Sequence, residues 1–354
     1  MKILYLFDSF KNSLRSHELG ELATKISMEF DHKNDYSYLP VGDGGEGSLH
    51  VIETYIDGHK VNLKSVSADG YPIDTYYIMK DKTAFIEVAM TSGMEKLKNK
   101  KYSILKRSTY GTGIVLKDAI ERGAKEIILF VGGTATCDGG IGIIKALEDK
   151  KRDSFLMHRL KLSESFKYKD IKMTIATDVT NPLLGSKGAS YVFARQKGAS
   201  QKEIEFLESK MQELRDVSFL TFGKDINFAG AGAGGGIPAL MSVYFNVNIV
   251  SGFDYIASLI NLDKMMEVAD IIITGEGKFD EQSYMGKVVG KIVHKARNIN
   301  KKIAIICGTS TVDVSDLPIF QLSSYKHSLF NREESIKAFS NIIKSLVLYK
   351  NFWI

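Results

Sequence analysis

Short apolar runs recur along the chain, each ending in glycine, serine or an acid, and most are followed by residues with helical spacing. KILYLFD (2–8) opens the chain, and the spacing after it predicts a helix from Ser16 to about Phe30. Ser16 is placed to cap that helix, because a serine oxygen accepts from exposed first-turn amides. YSYLPV leads into GDGGEGS and then a helix with Leu49, Ile52 and Ile56 on one face. EIILFVG (126–132), DIIITGEG (270–277) and KIAIICG (302–308) read as buried strands, and the second precedes a helix with Val289, Ile292, Val293 and Ala296 in register. Strands alternating with helices predict parallel sheets covered on both faces. The stretch Val61 to Val88 breaks the rhythm, reading as successive strands with turns at Asp69-Gly70 and Asp81-Lys82. It predicts a small antiparallel element and marks the expected passage from one domain to another. Asn331, with Glu334 three residues on, has the capping-box pattern of a final helix.

A length of 354 residues exceeds a typical single core and predicts two domains. With 44% hydrophobic and 25% charged residues, the composition is that of a globular protein and excludes a disordered or fibrous chain. The net charge of +5 is small for this length. The basic run KLKNKKYSILKR (Lys96 to Arg107) reads as a solvated face, since no aromatic-interleaved recognition pattern accompanies it. Nucleic acid is therefore not an expected partner. Cys137 and Cys307 lie far apart without CxxC spacing, which predicts neither zinc nor a disulfide and points to a reducing compartment. No run reaches the roughly 18 apolar residues a membrane span needs, and the first apolar run is too short for a signal-peptide core. The expected location is cytoplasmic, with no membrane partner.

Five glycine-rich or acid-bearing stretches follow the predicted strands, where ligands of open parallel sheets bind. DSFKNSL (8–14) offers Ser9 and Lys11 to a phosphate or substrate. PVGDGGEGS (40–48) sets Asp43 and Glu46 among three glycines; two carboxylates there would repel a phosphate unless a divalent cation intervened. FVGGTATCDGGIG (130–142) carries Gly132, Gly133, Thr134, Thr136, Asp138 and Gly139 into a helix start, a place whose unpaired amides favour an anion. It is neither GxxxxGK[ST] nor GxGxxG. ATDVTNPLLGSKGASYVFARQKGAS (176–200) combines Asp178 with Arg195 and Lys197, a set suited to a charged substrate. ITGEGKFDEQSYMGK (273–287) brackets Glu276 with glycines and adds Asp280 and Lys287, groups able to hold a metal or take a proton. AGAGAGGGIPAL (229–240) superficially suits a dinucleotide, but no strand precedes it and no acid follows to bind a ribose. The seven histidines form no HExxH pair, and no GxSxG elbow is present.

Taken together, DSFKNSLRS, PVGDGGEGS, YGTGIVLKDAIERGAKEIILFVGGTATCDGGIGIIKAL, ATDVTNPLLGSKGASYVFARQKGA, GAGAGGGIPAL and DIIITGEGKFDEQSYMGK resemble the type 1 glycerate kinase family, in that family's order, from about residue 1 to residue 310. The resemblance implies ATP-dependent phosphorylation of D-glycerate with a divalent cation, taken as Mg²⁺. It also implies two α/β domains, one of them flavodoxin-like and inserted into the other, with the reaction in the cleft between them. The expected boundaries are 1–62 with 286–354 for the discontinuous domain and 63–285 for the inserted one. On this reading Lys11, Asp43, Asp178 and Glu276 are catalytic candidates, and Asp43, Asp178 and Glu276 are also candidate metal ligands. Ser9, Arg195, Lys197, Asp280 and Lys287 are substrate-binding candidates, and Gly132, Gly133, Thr134, Thr136, Asp138 and Gly139 are candidates for holding nucleotide or phosphate. The sequence does not divide the acids between metal binding and proton transfer. The favoured product is 2-phosphoglycerate, with 3-phosphorylation, a small-acid sensor and a dinucleotide-dependent oxidoreductase as alternatives. A homodimer is compatible with the resemblance. Asn12 stands where glycine is usual, Thr134 and Cys137 replace serine and asparagine, and residues 150–165 look short. None of these departures removes a carboxylate or a loop lysine, but they bear on substrate preference.

Overall fold

The computed structural model describes residues 1–10, 13–152, 161–325 and 331–349. In chain order, β1 (Lys2–Phe7), α1 (Ser16–Phe30) and β2 (Asp35–Tyr38) come first. Then follow α2 (Ser48–Tyr55), β3 (His59–Val66), β4 (Pro72–Lys80), β5 (Thr83–Glu87), α3 (Ala89–Ser92), α4 (Tyr110–Glu121) and β6 (Glu126–Phe130). Next are α5 (Ile141–Leu147), β7 (Lys172–Ala176), α6 (Ala189–Phe193), α7 (Gln201–Phe222), α8 (Ala233–Tyr244) and β8 (Asn246–Val250). The chain closes with α9 (Gly252–Leu259), α10 (Leu262–Val268), β9 (Ile271–Phe279), α11 (Glu281–Gly286), α12 (Val288–Asn298), β10 (Lys302–Ser310), β11 (Ile319–Gln321) and α13 (Arg332–Leu348).

The described chain divides into two units, residues 1–43 with 253–354 and residues 44–252. The discontinuous unit holds a parallel sheet of order β11-β10-β9-β1-β2. Ile3–Phe7 of β1 and Ile271–Gly275 of β9 contain no exposed residue, the near-continuous apolar run of a strand covered on both faces. Tyr5, Phe7, Phe10 and Phe339 form its aromatic centre, with the Phe7 and Phe339 rings edge to face at 5.1 Å. Asn331 caps α13 by accepting from the amides of Glu333 and Glu334, as expected. Ser16 does not cap α1. Its hydroxyl instead donates to Phe7 O at 2.6 Å and accepts from Val41 N at 3.2 Å, tying the end of β1 to the loop after β2.

The inserted unit holds a six-stranded sheet of order β3-β4-β5-β6-β7-β8. β3, β4 and β5 run antiparallel and β5 to β8 parallel. Its core packs Ile127, Leu129 and Ile175 of the sheet with Leu116, Ile143, Leu214 and Leu240 of the helices.

Two expectations need correction. The chain changes unit at 43/44 and 252/253, not at 62/63 and 285/286. β3 pairs along its whole length with β4, and β9 pairs with β1 from Ile3↔Ile271 onward, so neither strand can be divided from its sheet. The antiparallel stretch is thus an edge of the inserted sheet rather than a crossing. The flavodoxin-like order also belongs to the other unit. Counted in the discontinuous unit's own succession, its strands lie 2-1-3-4-5; the inserted sheet shows no such reversal among its parallel strands.

Candidate functional site

In the inserted unit, the loops at the carboxyl ends of β5, β6 and β7 converge on the segment Gly44–Ser48. A Cβ on Gly132 would lie 2.4 Å from Gly45 Cα, and one on Gly44 would lie 2.8 Å from Gly252 Cα and 3.1 Å from Ala176 O. Gly132 N donates to Gly44 O at 3.3 Å. Two glycine loops can approach this closely only because neither carries a side chain. Glu87, at the end of β5 and buried, accepts from Gly47 N at 3.2 Å and from Leu49 N at 2.9 Å. It thereby satisfies first-turn amides of α2 and fixes the Gly44–Gly47 loop. Asp178, after β7, accepts from the Ser251 hydroxyl at 2.6 Å.

The second half of the glycine motif faces inward. Lys197 is buried, and its Nζ donates to Thr134 Oγ1 at 3.0 Å and to Thr136 O at 2.7 Å. Burial pushes the Lys197 ammonium below its usual pKa, because a low-dielectric surrounding disfavours the charged form. Asp138 is buried too, accepting from Thr109 N at 2.8 Å, Thr109 Oγ1 at 2.9 Å, Gly142 N at 3.2 Å and Gly140 N at 3.3 Å. Burial raises its carboxyl pKa against the opposing pull of Thr109, Gly140 and Gly142.

These contacts correct part of the phosphate reading. The helix-start amides expected to meet an anion are occupied by the protein's own Asp138, which organises the loop. Gly139 has φ +62°, donates its N–H to Gly235 O at 3.0 Å, and would place a Cβ 2.4 Å from Leu214 Cδ2, so it faces the core. Gly235 would in turn meet Thr136 O at 2.2 Å. The AGAGAGGG run is therefore a packing surface for the motif at a kinked helix start, preceded by α7 rather than by a strand. Gly132 and Gly133, half-buried and exposed, are the part of the motif that meets solvent. Arg195 is exposed and donates to Gln201 Oε1 at 2.7 Å beside the start of α7, so its guanidinium is engaged there rather than at the glycine loops.

In the discontinuous unit, strand order reverses between β1 and β9, the place where open α/β sheets bind ligands. Asp8 N donates to Gly275 O at 2.9 Å, and Ser9 N donates to Asp8 Oδ1 at 2.7 Å. Asp8 and Ser9 thus lie beside the start of the Glu276 segment. Glu276 is half-buried and pairs in register with Cys307 of β10. The glycines around it serve strand contact. A Cβ on Gly275 would meet Ile306 O at 1.8 Å, and one on Gly308 would meet Gly277 O at 2.3 Å. Asp280 caps α11 by accepting from Ser283 N at 3.1 Å, with Lys278 at 3.4 Å and Lys287 at 4.0 Å. Burial works to raise the Asp280 carboxyl pKa, but the Ser283 amide and both lysines hold it below the usual range. Asp43 is exposed. Lys11, like Asn12, lies outside the described residues.

Glu87 and Ser251 went unnoticed in the sequence. Glu87 does end the apolar run TAFIE, the same strand-end signal that singled out Asp8 and Asp178. Ser251 follows β8 directly, but a lone serine after a strand carries no comparable signal. Among the described residues, no cluster of three or more His, Cys, Asp or Glu is placed to hold a metal ion. Also among them, no helix is long and apolar enough to cross a membrane.

Comparison with known proteins gives one answer. The glycerate kinase family description matches residues 3–347. The glycerate 2-kinase of Escherichia coli (strain K12) is 33% identical over 341 residues, covering 89% of this chain and 87% of that protein. The glycerate kinase of Neisseria meningitidis serogroup B (strain MC58) is 32% identical over 99% of this chain and 95% of its own length. The crystal structure of a protein assigned as glycerate kinase 2 from Salmonella typhimurium LT2 superposes with a TM-score of 0.75 at 27% identity, covering 99% of both chains. The chain belongs to the glycerate kinase family.

Proposed function

We propose that this enzyme transfers the γ-phosphoryl group of ATP to the 2-hydroxyl of D-glycerate, giving 2-phosphoglycerate. Family membership supports glycerate as the acceptor, and the Escherichia coli relative named glycerate 2-kinase favours that hydroxyl. The observation that carries the phosphoryl-transfer reading is the apposition of Gly132–Gly133 on Gly44–Glu46 at the carboxyl end of the inserted sheet. Such a surface lets a ligand approach main chain without side-chain obstruction, backed by the buried charge of Lys197. Phosphoryl transfer asks the protein mainly to align the nucleophile and neutralise charge.

The donor set fits a magnesium ion carried by nucleotide better than a resident one. Mg²⁺ in such enzymes takes one or two carboxylates, with waters and phosphate oxygens completing its octahedron. Asp178, half-buried and oriented by Ser251, is a carboxylate of that kind, and Asp43 and Glu276 are further candidates. Held there with a nucleotide, the ion would supply charge neutralisation to the phosphates. Glu276 at the β1/β9 switch point is our candidate for accepting the substrate hydroxyl proton, with Ser9 and Lys287 as polar contacts for the organic acid. Lys197 acts from behind the glycine loop rather than as a carboxylate clamp. Two buried thiols suit a reducing compartment, and we place the enzyme in the cytoplasm, acting on small molecules.

Phosphorus NMR of the purified protein with ATP, Mg²⁺ and D-glycerate tests this reading. It should show ATP consumption with one dominant 2-phosphoglycerate signal. A dominant 3-phosphoglycerate signal, free of mutase, would overturn the regiochemistry. No phosphoglycerate, together with thermal stabilisation by NAD but not by ATP–Mg²⁺, would overturn the kinase reading itself.

A further inference from the structure

The basic run at 96–107 ends in a residue that is not part of a solvated face. Arg107 is 5% exposed. Its Nε and Nη2 donate to Tyr102 O at 3.0 and 2.8 Å, and its Nη1 donates to Lys197 O at 2.8 Å and Ala135 O at 3.3 Å. Those acceptors are main-chain carbonyls from three separate segments. Carboxylates reach this guanidinium through space, from Asp69 and Glu203. A buried charge is normally retained only where its hydrogen bonds are well made, and here they fasten other backbone in place.

The backbone they fasten is that of the glycine loop. Lys197 Nζ takes Thr134 Oγ1 and Thr136 O, while Arg107 takes Ala135 O between them and also the carbonyl of Lys197 itself. Three consecutive residues are thus held from within by two buried cations, one of which also anchors the other. The next residues toward the amino end, Gly132 and Gly133, rest on Gly45 and Glu46. Any shift at Ala135 is passed through the backbone of Thr134 to that contact. A lysine could not do the same work. An ammonium is a point donor on a flexible stem, whereas the guanidinium presents five donors in a fixed fork.

We propose that Arg107 is a positioning residue for phosphoryl transfer: it sets the Gly132–Thr136 loop by holding Ala135 O and Lys197 O, without touching substrate. The assignment rests on the kinase reading for its catalytic consequence, but not for its structural one. Two measurements keep these apart. The first is amide hydrogen exchange of residues 132–137 in the wild type, Arg107→Lys and Arg107→Met, without ligands. Both variants should exchange at least about tenfold faster in this segment, with strands β6 and β7 unchanged. Equal protection in the loop would overturn the proposal whatever the activity. The second is steady-state kinetics. Arg107→Lys should lower kcat by about tenfold to a hundredfold, in line with the roughly hundredfold loss expected from a misplacement of about 1 Å, while KM for glycerate moves less than about threefold. In Arg107→Ala, millimolar guanidinium ion should restore part of kcat, and methylammonium should not. Wild-type kcat in Arg107→Lys, with only a lowered melting temperature, would reduce Arg107 to a stabilising role and overturn the proposal. A wild-type protein inactive on glycerate would sink the kinase reading, leaving hydrogen exchange to decide the role of Arg107. Should Arg107→Met fail to fold, Arg107→Lys carries both tests, since it keeps the charge and loses only the fork.

Discussion

The contact between Gly132 and Gly45 can be broken by one methyl group. In Gly132→Ala the new Cβ would sit 2.4 Å from Gly45 Cα and 3.2 Å from Gly45 N, where ordinary contact begins at 3.4 Å. The two backbones must therefore part by about 1 Å. Gly45 has no side chain to rotate away, so the whole displacement falls on the loops. Overpacking of this kind costs about 1–3 kcal/mol. Gly132 is not among the residues with positive φ, so no left-handed strain is added, and alanine's stiffer unfolded chain returns about 0.4–1 kcal/mol. The net loss, about 1–2 kcal/mol, is small beside the roughly 5–15 kcal/mol that holds a typical domain. The variant should stay folded, with a melting temperature lower by a few degrees. The catalytic effect should be much larger, about a hundredfold in kcat/KM, because reacting groups carried on either loop lose their alignment. Gly223→Ala is the control. That glycine, at φ +67° after α7, has nothing within 4 Å of its would-be Cβ. Alanine there incurs left-handed strain of about 1–2 kcal/mol without moving any loop. Urea melts should rank the two variants as similar, and turnover of ATP with D-glycerate should separate them sharply. Near-normal turnover in Gly132→Ala, or an equal loss in Gly223→Ala, would refute the argument from apposed loops.

Three further outcomes are expected. Glu276→Gln should keep the fold and lower turnover at saturating substrates at least about a hundredfold, within the range for losing a positioned acid or base; a near-normal rate removes Glu276 from catalysis. Ser251→Ala takes away the 2.6 Å donor that orients Asp178, and should raise the Mg²⁺ concentration needed for half-maximal rate by about tenfold, since a hydrogen bond to a charged group contributes about 1.5–3 kcal/mol. An unchanged magnesium titration would take Asp178 out of metal binding. The third concerns Cys307, whose thiol burial and the nearby Glu276 charge push up to about 12, against about 8.5 unfolded. Above pH 8.5 the unfolded state loses this proton and the folded state keeps it, so stability falls as pH rises toward 12, at up to about 1.4 kcal/mol per pH unit. Urea midpoints at pH 8 and 10 should fall less steeply in Cys307→Ala than in the wild type, and parallel slopes would contradict the assignment.

The strands were legible because burial writes directly into sequence. ILYLF and EIILF can only be covered strands at that length, and the helices after them followed from spacing. The domain boundary was not legible, for a physical reason. The antiparallel run from β3 to β5 looks like a change of architecture, yet β5 pairs parallel with β6 in exact succession, Thr83↔Glu126 to Glu87↔Phe130. Which sheet a strand joins depends on long-range pairing that local periodicity does not encode. The unit actually changes within GDGG, where a turn pattern gives no hint of it. The cap of α1 failed similarly. Ser16 is a sound capping residue by type, but its hydroxyl is better used joining Phe7 O to Val41 N.

Residue type alone also could not say which way the site residues face. Thr134, Thr136 and Lys197 carry donors suited to a phosphate and Asp138 a carboxylate suited to its cation, yet all four are buried. Lys197 spans the Thr134 hydroxyl and the Thr136 carbonyl, and Asp138 takes Thr109 and the amides at the start of α5. A motif of this composition has two faces with opposite duties. The inward face spends its charges making the loop rigid, and the outward face, reduced to Gly132 and Gly133, keeps only main chain. Rigidity and unobstructed main chain both favour tight binding of an anion without reorganisation, and one residue can seldom provide both. The lone Asp and the buried Lys are then as necessary to the shape of this loop as its glycines are. On that argument a charge-preserving but shorter substitution, such as Asp138→Glu, should be as damaging to the loop as loss of the charge, because four donors converge on one fixed position.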